Sequence, residues 1–186
     1  MSKNTKYVLG DSLKKLLQKK PLNKITVTEI VNDCGMNRMT FYYHFKDIYD
    51  LLEWVCVEDA KRTLDGMESN YANWKEALYK IFTLVQENRP TVIHAYSSMS
   101  RDYLEKYIYR LTDTLFMSVI DDIDTSKNLN QKDKEFIASF YKYAFLGIVL
   151  NWIDNNMQED PKDIIDKLSI LVEGNLSGAI KRFGNR

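Results

Sequence analysis

Within eight consecutive positions, Asn37 to His44, the chain places an amide, a guanidinium, a hydroxyl, two phenols and an imidazole. Asn37, Arg38, Thr40, Tyr42, Tyr43 and His44 can all donate hydrogen bonds, either to base edges or to phosphate oxygens. That is the chemistry of a short helix lying in the major groove of DNA. A plain helical corner with a polar surface shows the same residue types. The charge distribution and the surrounding elements have to separate the two readings.

Other chemistries find little support. The two histidines, His44 and His94, lie near no Ser or Cys in a nucleophile motif, and no phosphate loop or dinucleotide fingerprint is visible. Cys34 and Cys56 sit in unrelated settings without a CxxC or Cys/His cluster, so we expect no metal. Carboxylate pairs such as Asp121 and Asp122 border a polar loop and read as solvated caps. The expectation is a protein that is not an enzyme and takes no cofactor.

The formal net charge of zero conceals an asymmetry. Residues 1–46 hold nine Lys/Arg against three Asp/Glu, so the remainder is acidic by six. A basic segment on an acidic chain points to a polyanionic partner for that segment. The N-terminus is polar through Lys6 and resembles no signal peptide. The most apolar stretch, Phe140 to Ile153, contains Lys142 and Asn151 and falls short of the roughly 20 residues a membrane span needs. We expect a cytoplasmic protein without a membrane partner.

The elements that must position Asn37–His44 are helical. Only seven Gly and three Pro interrupt 186 residues, and no stretch alternates as a strand would. Leu9, Leu13, Leu16 and Leu17 mark one face of a first helix from about 5 to 20, stopped by Pro21. Thr26-Val27-Thr28-Glu29 is a capping box that opens a second helix, and Gly35 closes it with a left-handed turn. Asn37 caps the third helix, and Phe41 and Phe45 point inward together. Asp47 caps a fourth. Further helices are expected over about 74–85, 91–99, 101–122, 136–155 and 161–183, giving an all-α fold of about nine helices. The helix over 136–155 is apolar nearly all round and is expected to be buried nearly all round.

Residues 26–45, TVTEIVNDCGMNRMTFYYHF, resemble the N-terminal domain of the TetR/AcrR family of transcriptional regulators. The likeness covers about residues 5–55. It rests on the run Asn37 to Phe45, preceded by Thr28-Glu29-Ile30 and Cys34-Gly35-Met36. It implies a three-helix DNA-binding helix-turn-helix domain over residues 1–47. A regulatory and dimerisation domain would follow over 48–186, with the fourth helix as connector. It also implies roles by position. Thr26 and Thr28 stand at the start of the second helix, where Thr28 would touch phosphate. Arg38, Met39 and Tyr43 would face base edges. Thr40, Tyr42 and His44 would hold the backbone or brace the third helix. Many members carry a Lys where this chain has Ile48, and here Lys46 stands in its neighbourhood.

The family's regulators are homodimers paired through their last two helices, and they bind palindromic double-stranded operators. The expected interface residues here are Ile148, Trp152, Leu168, Leu171, Gly174 and Gly178. The two glycines are read as i, i+4 positions of close approach on one long final helix. The stretch from Lys24 to Glu53 and the apolar run before Pro161 also resemble regulators of dihydroxyacetone kinase operons. These can be activators controlled by a protein partner rather than by a small inducer. For a small-molecule effector the aromatic candidates are Trp74, Phe82, His94, Tyr96, Tyr103, Tyr107, Phe116, Phe140 and Tyr143. Aromatic residues at helical spacing are more commonly core.

Overall fold

Leucines four apart build the first element. In α1, Ser2–Leu17, the side chains of Leu9, Leu13 and Leu17 are fully buried on one face. The computed structural model describes residues 2–67, 72–125 and 128–185, apart from the side chains at 2–3, 101–102, 105–107, 109–111 and 113–115. Among the described residues every regular element is helical: ten α-helices and one 3-10 turn. They divide into two compact units, one formed by Met1–Thr63 with Glu87–Leu104, the other by Leu64–Gln86 with Glu105–Arg186.

In the first unit, α1 ends at Leu17, short of the expected stop at Pro21, and a 3-10 turn, Leu22–Lys24, leads into α2, Val27–Asp33. Then come α3, Arg38–His44, and α4, Ile48–Thr63. Leu51, Leu52 and Val55 of α4 share one core with Leu9, Ile30, Phe41 and Phe45. The fourth helix, expected as a connector, is thus packed into the core of the N-terminal unit. Gly10 marks its closest approach to α1: a Cβ there would lie 2.9 Å from Val55 Cγ2 and 3.3 Å from Trp54 Cζ3. The seam is flanked by Tyr7 Oη donating to Glu58 at 2.8 Å and Lys14 Nζ to Asp59 at 3.2 Å. A cleft of about 10 Å³ remains beside it, room for about one water.

The unit also takes in α6, Arg89–Tyr96, which joins it from far along the chain. There His94 Nδ1 lies 2.6 Å from the carbonyl of Leu17, one of the C-terminal acceptors of α1 that helix geometry leaves without an internal donor.

The second unit comprises α5, Trp74–Glu87, most of α7, Arg101–Ile123, then α8, Gln131–Asp154, α9, Pro161–Val172, and α10, Asn175–Gly184. Phe82 packs on Trp152, with ring centroids 4.8 Å apart, and on Phe145 at 6.1 Å. Ile120, Ile137, Leu176 and Ile180 form a second cluster. Asp124 clasps the connection before α8, its carboxylate accepting from the N–H groups of Asn128 at 3.1 Å and Leu129 at 3.3 Å and pairing with Lys134 at 3.4 Å. Burial alone would raise the Asp124 carboxyl, but those N–H groups and the Lys134 ammonium outweigh it and hold it below the usual carboxylate range.

Two expectations need correction. First, α8 begins at Gln131 rather than Phe136, because Asn130 caps it by accepting from Asp133 N at 3.0 Å. It is also not buried all round: Phe136, Phe140 and Tyr143 are exposed on one face. Second, the final helix is two helices. Gly174 has φ of 80°, which breaks the segment between α9 and α10. Gly174 therefore serves a turn, and the pairing of Gly174 with Gly178 as a close-approach motif on one continuous helix does not hold.

Candidate nucleic-acid interface

The helical corner is assembled by caps. At the start of α2 the Thr26 hydroxyl accepts from Glu29 N–H at 3.2 Å, and the Glu29 carboxylate accepts from Thr26 N–H at 3.0 Å. Lys20 Nζ also donates to Glu29, and chiefly for that reason the Glu29 carboxyl sits below its ordinary range. The Thr26 side chain is therefore committed to the cap, while Thr28, the second residue of α2, is exposed.

At the other end, Gly35 adopts φ of 67°. Its N–H donates to Asn32 O at 3.3 Å, and Met36 N–H donates to Val31 O at 2.8 Å. This pair of bonds ends α2 in a Schellman turn, with Met36 packed back on the core. The turn sets the direction in which α3 leaves.

α3 opens on Asn37, whose Oδ1 accepts from both Thr40 N at 2.8 Å and Thr40 Oγ1 at 3.0 Å. Phe41 is fully buried and Phe45 nearly so, and these two rings pin the helix from below. The opposite side faces outward: Met39 is 82% exposed, Tyr43 83% and Tyr42 51%. The Arg38 guanidinium lies 5.9 Å from the centre of the Tyr42 ring, and Tyr42 meets Phe41 edge to face at 5.4 Å. His44 is half-buried against Tyr43 at 4.9 Å. Lys46 is exposed, its backbone N–H held by Asp50 at 2.9 Å while Asp47 caps α4. All ten expected contact residues thus fall on α2, α3 and the short segments that flank them, with Thr26 and Asn37 as caps and Thr40 donating to the Asn37 cap.

Much of the basic character of residues 1–46 is neutralised locally. Lys14 pairs with Asp11 and Asp59, Lys15 with Asp33 and Lys20 with Glu29. Lys15 holds the Asp33 carboxyl below its usual range. Lys6 lies over the rings of Phe45 and Trp54 at 5.4 and 5.9 Å. Lys19, Lys24, Arg38 and Lys46 are exposed and make no ion pair among the described residues, so they are the cations most available to phosphate.

The positions expected to surround an effector are divided between the two units. His94, Tyr96 and Tyr103 belong to the first unit, Tyr103 stacking against Tyr49 at 5.4 Å. Trp74, Phe82, Phe116, Phe140 and Tyr143 belong to the second. There Phe116 packs on Phe145 at 6.1 Å, Phe82 is buried core, and Phe140 and Tyr143 face solvent. The side chain of Tyr107, like those of Leu111 and Leu115, lies outside the described residues. Among the expected interface positions, Trp152 and Leu168 are buried within their own unit, Trp152 Nε1 donating to Glu159 O at 2.9 Å. Ile148 and Gly178 are half-buried, and Leu171 and Gly174 are exposed.

Comparison with known proteins agrees with the corner. The family described as bacterial regulatory proteins, tetR family, matches residues 11–55. A second, described as a transcriptional regulator C-terminal region of the TetR type, matches residues 72–174. The HTH-type dhaKLM operon transcriptional activator DhaS of Lactococcus lactis subsp. lactis (strain IL1403) is 23% identical over 146 residues, spanning 77% of this chain and 76% of its own. A solved structure titled dihydroxyacetone kinase operon activator DhaS superposes with a TM-score of 0.68 at 20% identity, covering 96% of this chain and 97% of the other, which establishes a shared fold. These are transcriptional regulators rather than enzymes. With a capped helical corner in place and both halves of the sequence matched, the chain belongs to the TetR family of bacterial transcriptional regulators.

Proposed function

We propose that this regulator acts in the cytoplasm as a homodimer that reads a palindromic operator, with α3 as its reading helix. The observation that carries this is the two-sidedness of α3. Buried Phe41 and Phe45 hold it rigidly from below, while Met39, Tyr42 and Tyr43 stand outward with Arg38 beside them. Residues 1–47 supply the DNA contacts and the remainder regulates and dimerises. Phosphate contacts from Thr28, Lys24 and Lys46 set the register, and side chains of α3 read the bases.

The dimer reading is supported by α8. Phe136, Phe140, Tyr143 and Gly147 recur at i, i+4, i+7 and i+11 and are all exposed, and a Cβ on Gly147 would meet nothing within 4 Å. A face this apolar, with a glycine that admits close approach, suits a second copy of the same helix. Two such copies would set two reading helices about one DNA turn or a multiple of it apart, about 34 Å or more. A small effector or a protein co-regulator would gate DNA binding by favouring one spacing of the pair over another.

The test is selection of bound duplexes from a random pool with the full chain at moderate salt. A recovered palindrome supports the reading. Salt-sensitive retention without any consensus would contradict sequence-specific reading by this chain alone.

A further inference from the structure

The exposed surface of α3 lacks the chemistry that reads adenine or cytosine. An amide reads adenine by offering its oxygen and its NH2 together, and a carboxylate reads cytosine. From Arg38 to His44 there is no Asn, Gln, Asp or Glu. The neighbouring Asn37 has its Oδ1 already occupied by two donors, the N–H and the hydroxyl of Thr40. That also commits the Thr40 hydroxyl proton. Beside the exposed Arg38 guanidinium, what α3 presents at its crest is apolar. At about 100° per residue, Met39 and Tyr43 lie about 40° apart on the helix, on the side opposite Phe41 and Phe45. They are also the two most exposed of its hydrophobic side chains, so they would stand well into a groove. Arg38 and Tyr42 lie on one flank of that ridge, and Thr40 and His44 on the other.

The major groove offers one apolar feature, the C5-methyl group of thymine. We infer that Met39 and Tyr43 are specificity-determining residues that read thymine methyls, so that each operator half-site carries thymines beneath the centre of α3. This rests on the proposal that α3 is the DNA-reading helix and names what that helix reads. The thioether is unbranched and polarizable, suited to covering a methyl, and the Tyr43 ring supplies a flat apolar surface alongside it. The Tyr43 hydroxyl plays no part in methyl reading.

The test uses the full chain and the palindrome it selects. Each thymidine of the half-site is replaced in turn by deoxyuridine, which pairs identically but lacks the methyl. Burying one methyl is worth about fourfold in affinity, and about 16-fold when both half-sites are substituted. Two positions per half-site should show such a loss. Met39→Ala should abolish the loss at one of them and Tyr43→Ala at the other, while Tyr43→Phe retains it. Both residues are exposed, so the variants should keep the parent helical spectrum. A palindrome whose deoxyuridine forms all bind within about twofold of the parent overturns the inference, as does a consensus without thymine in the half-site core. Enrichment of no sequence at all overturns the DNA-reading proposal itself, and the inference with it.

Discussion

Replacing Gly35 by Ala perturbs the helical corner through a single dihedral. Gly35 holds φ at 67°, and a Cβ built there meets nothing within 4 Å. Steric contact with neighbours therefore contributes nothing to the cost. What remains is the intrinsic penalty of the left-handed region for a residue with a β-carbon, about 1–2 kcal/mol. The first unit has about 80 residues, a size at which 1 kcal/mol moves Tm by about 4–8 °C. The expected fall is therefore about 4–16 °C. Gly35→Asn should lose less, because asparagine tolerates this conformation best after glycine. Gly174→Ala is the matched control: φ is 80° and the site is equally open, but the penalty falls on the second unit. Thermal melting, with amide hydrogen exchange to assign each loss to α2–α3 or to α9–α10, separates the two. A Gly35→Ala protein melting within about 2 °C of the parent would refute the claim that the corner depends on a left-handed glycine.

Phe140→Lys should convert a dimer to monomer in sedimentation velocity at micromolar concentration without unfolding the chain, since Phe140 is solvent-exposed in the isolated protomer; an unchanged mass would contradict pairing through this face of α8. Arg38→Ala should lose about 1–3 kcal/mol of discrimination at one base pair per half-site, and an unaltered base preference in a repeated selection would refute a reading role for Arg38. The Asp124 carboxyl is held below its ordinary value in the folded state, so its contribution is present above the unfolded carboxyl value of about 4 and is lost as pH falls through the folded value. Acid titration followed by tryptophan fluorescence should therefore show the second unit weakening below about pH 4. Asp124→Asn should flatten that limb, and an Asp124→Asn titration identical to the parent's would count against the clasp.

The corner was legible in the sequence because local chemistry decides it. Thr26 with Glu29, Gly35, Asn37 and Asp47 are caps and turns whose partners lie within four residues, and each forms as the spacing predicts. Elements decided by distant contacts were harder to read. The placement of α6 in the first unit depends on packing of residues 87–104 against helices some 70 positions earlier, as the 2.6 Å contact of His94 with Leu17 shows. No local pattern announces it.

Two misreadings have physical causes. Asn130 and Asp133 lie in a polar run that reads as loop, yet their reciprocal bonds start α8 five residues early. The apolar periodicity of 161–183 continues across Gly174, so helical spacing alone hid a break that one positive φ creates. The apolar character of α8 was plain, but composition does not say which apolar face the chain itself covers. The i, i+4, i+7 spacing of Phe136, Phe140 and Tyr143 held that signal among neighbours equally apolar. Of the expected α2–α3 contact residues, Met39 and Tyr43 stand exposed at the crest, whereas Asn37 and Thr40 spend hydrogen bonds on each other.

The central claim is that α3 reads DNA, and the ratio of affinities for the selected operator and a scrambled duplex tests it most directly. For sequence-specific regulators this ratio is roughly 10³–10⁷ at physiological salt. In the Met39→Ala/Tyr43→Ala double variant, two lost contacts in each of two half-sites at about fourfold each should lower the ratio by roughly 250-fold. Affinity for the scrambled duplex, set by phosphate contacts, should stay within about threefold. A double variant that discriminates as well as the parent would contradict the assignment of α3 as the reading helix.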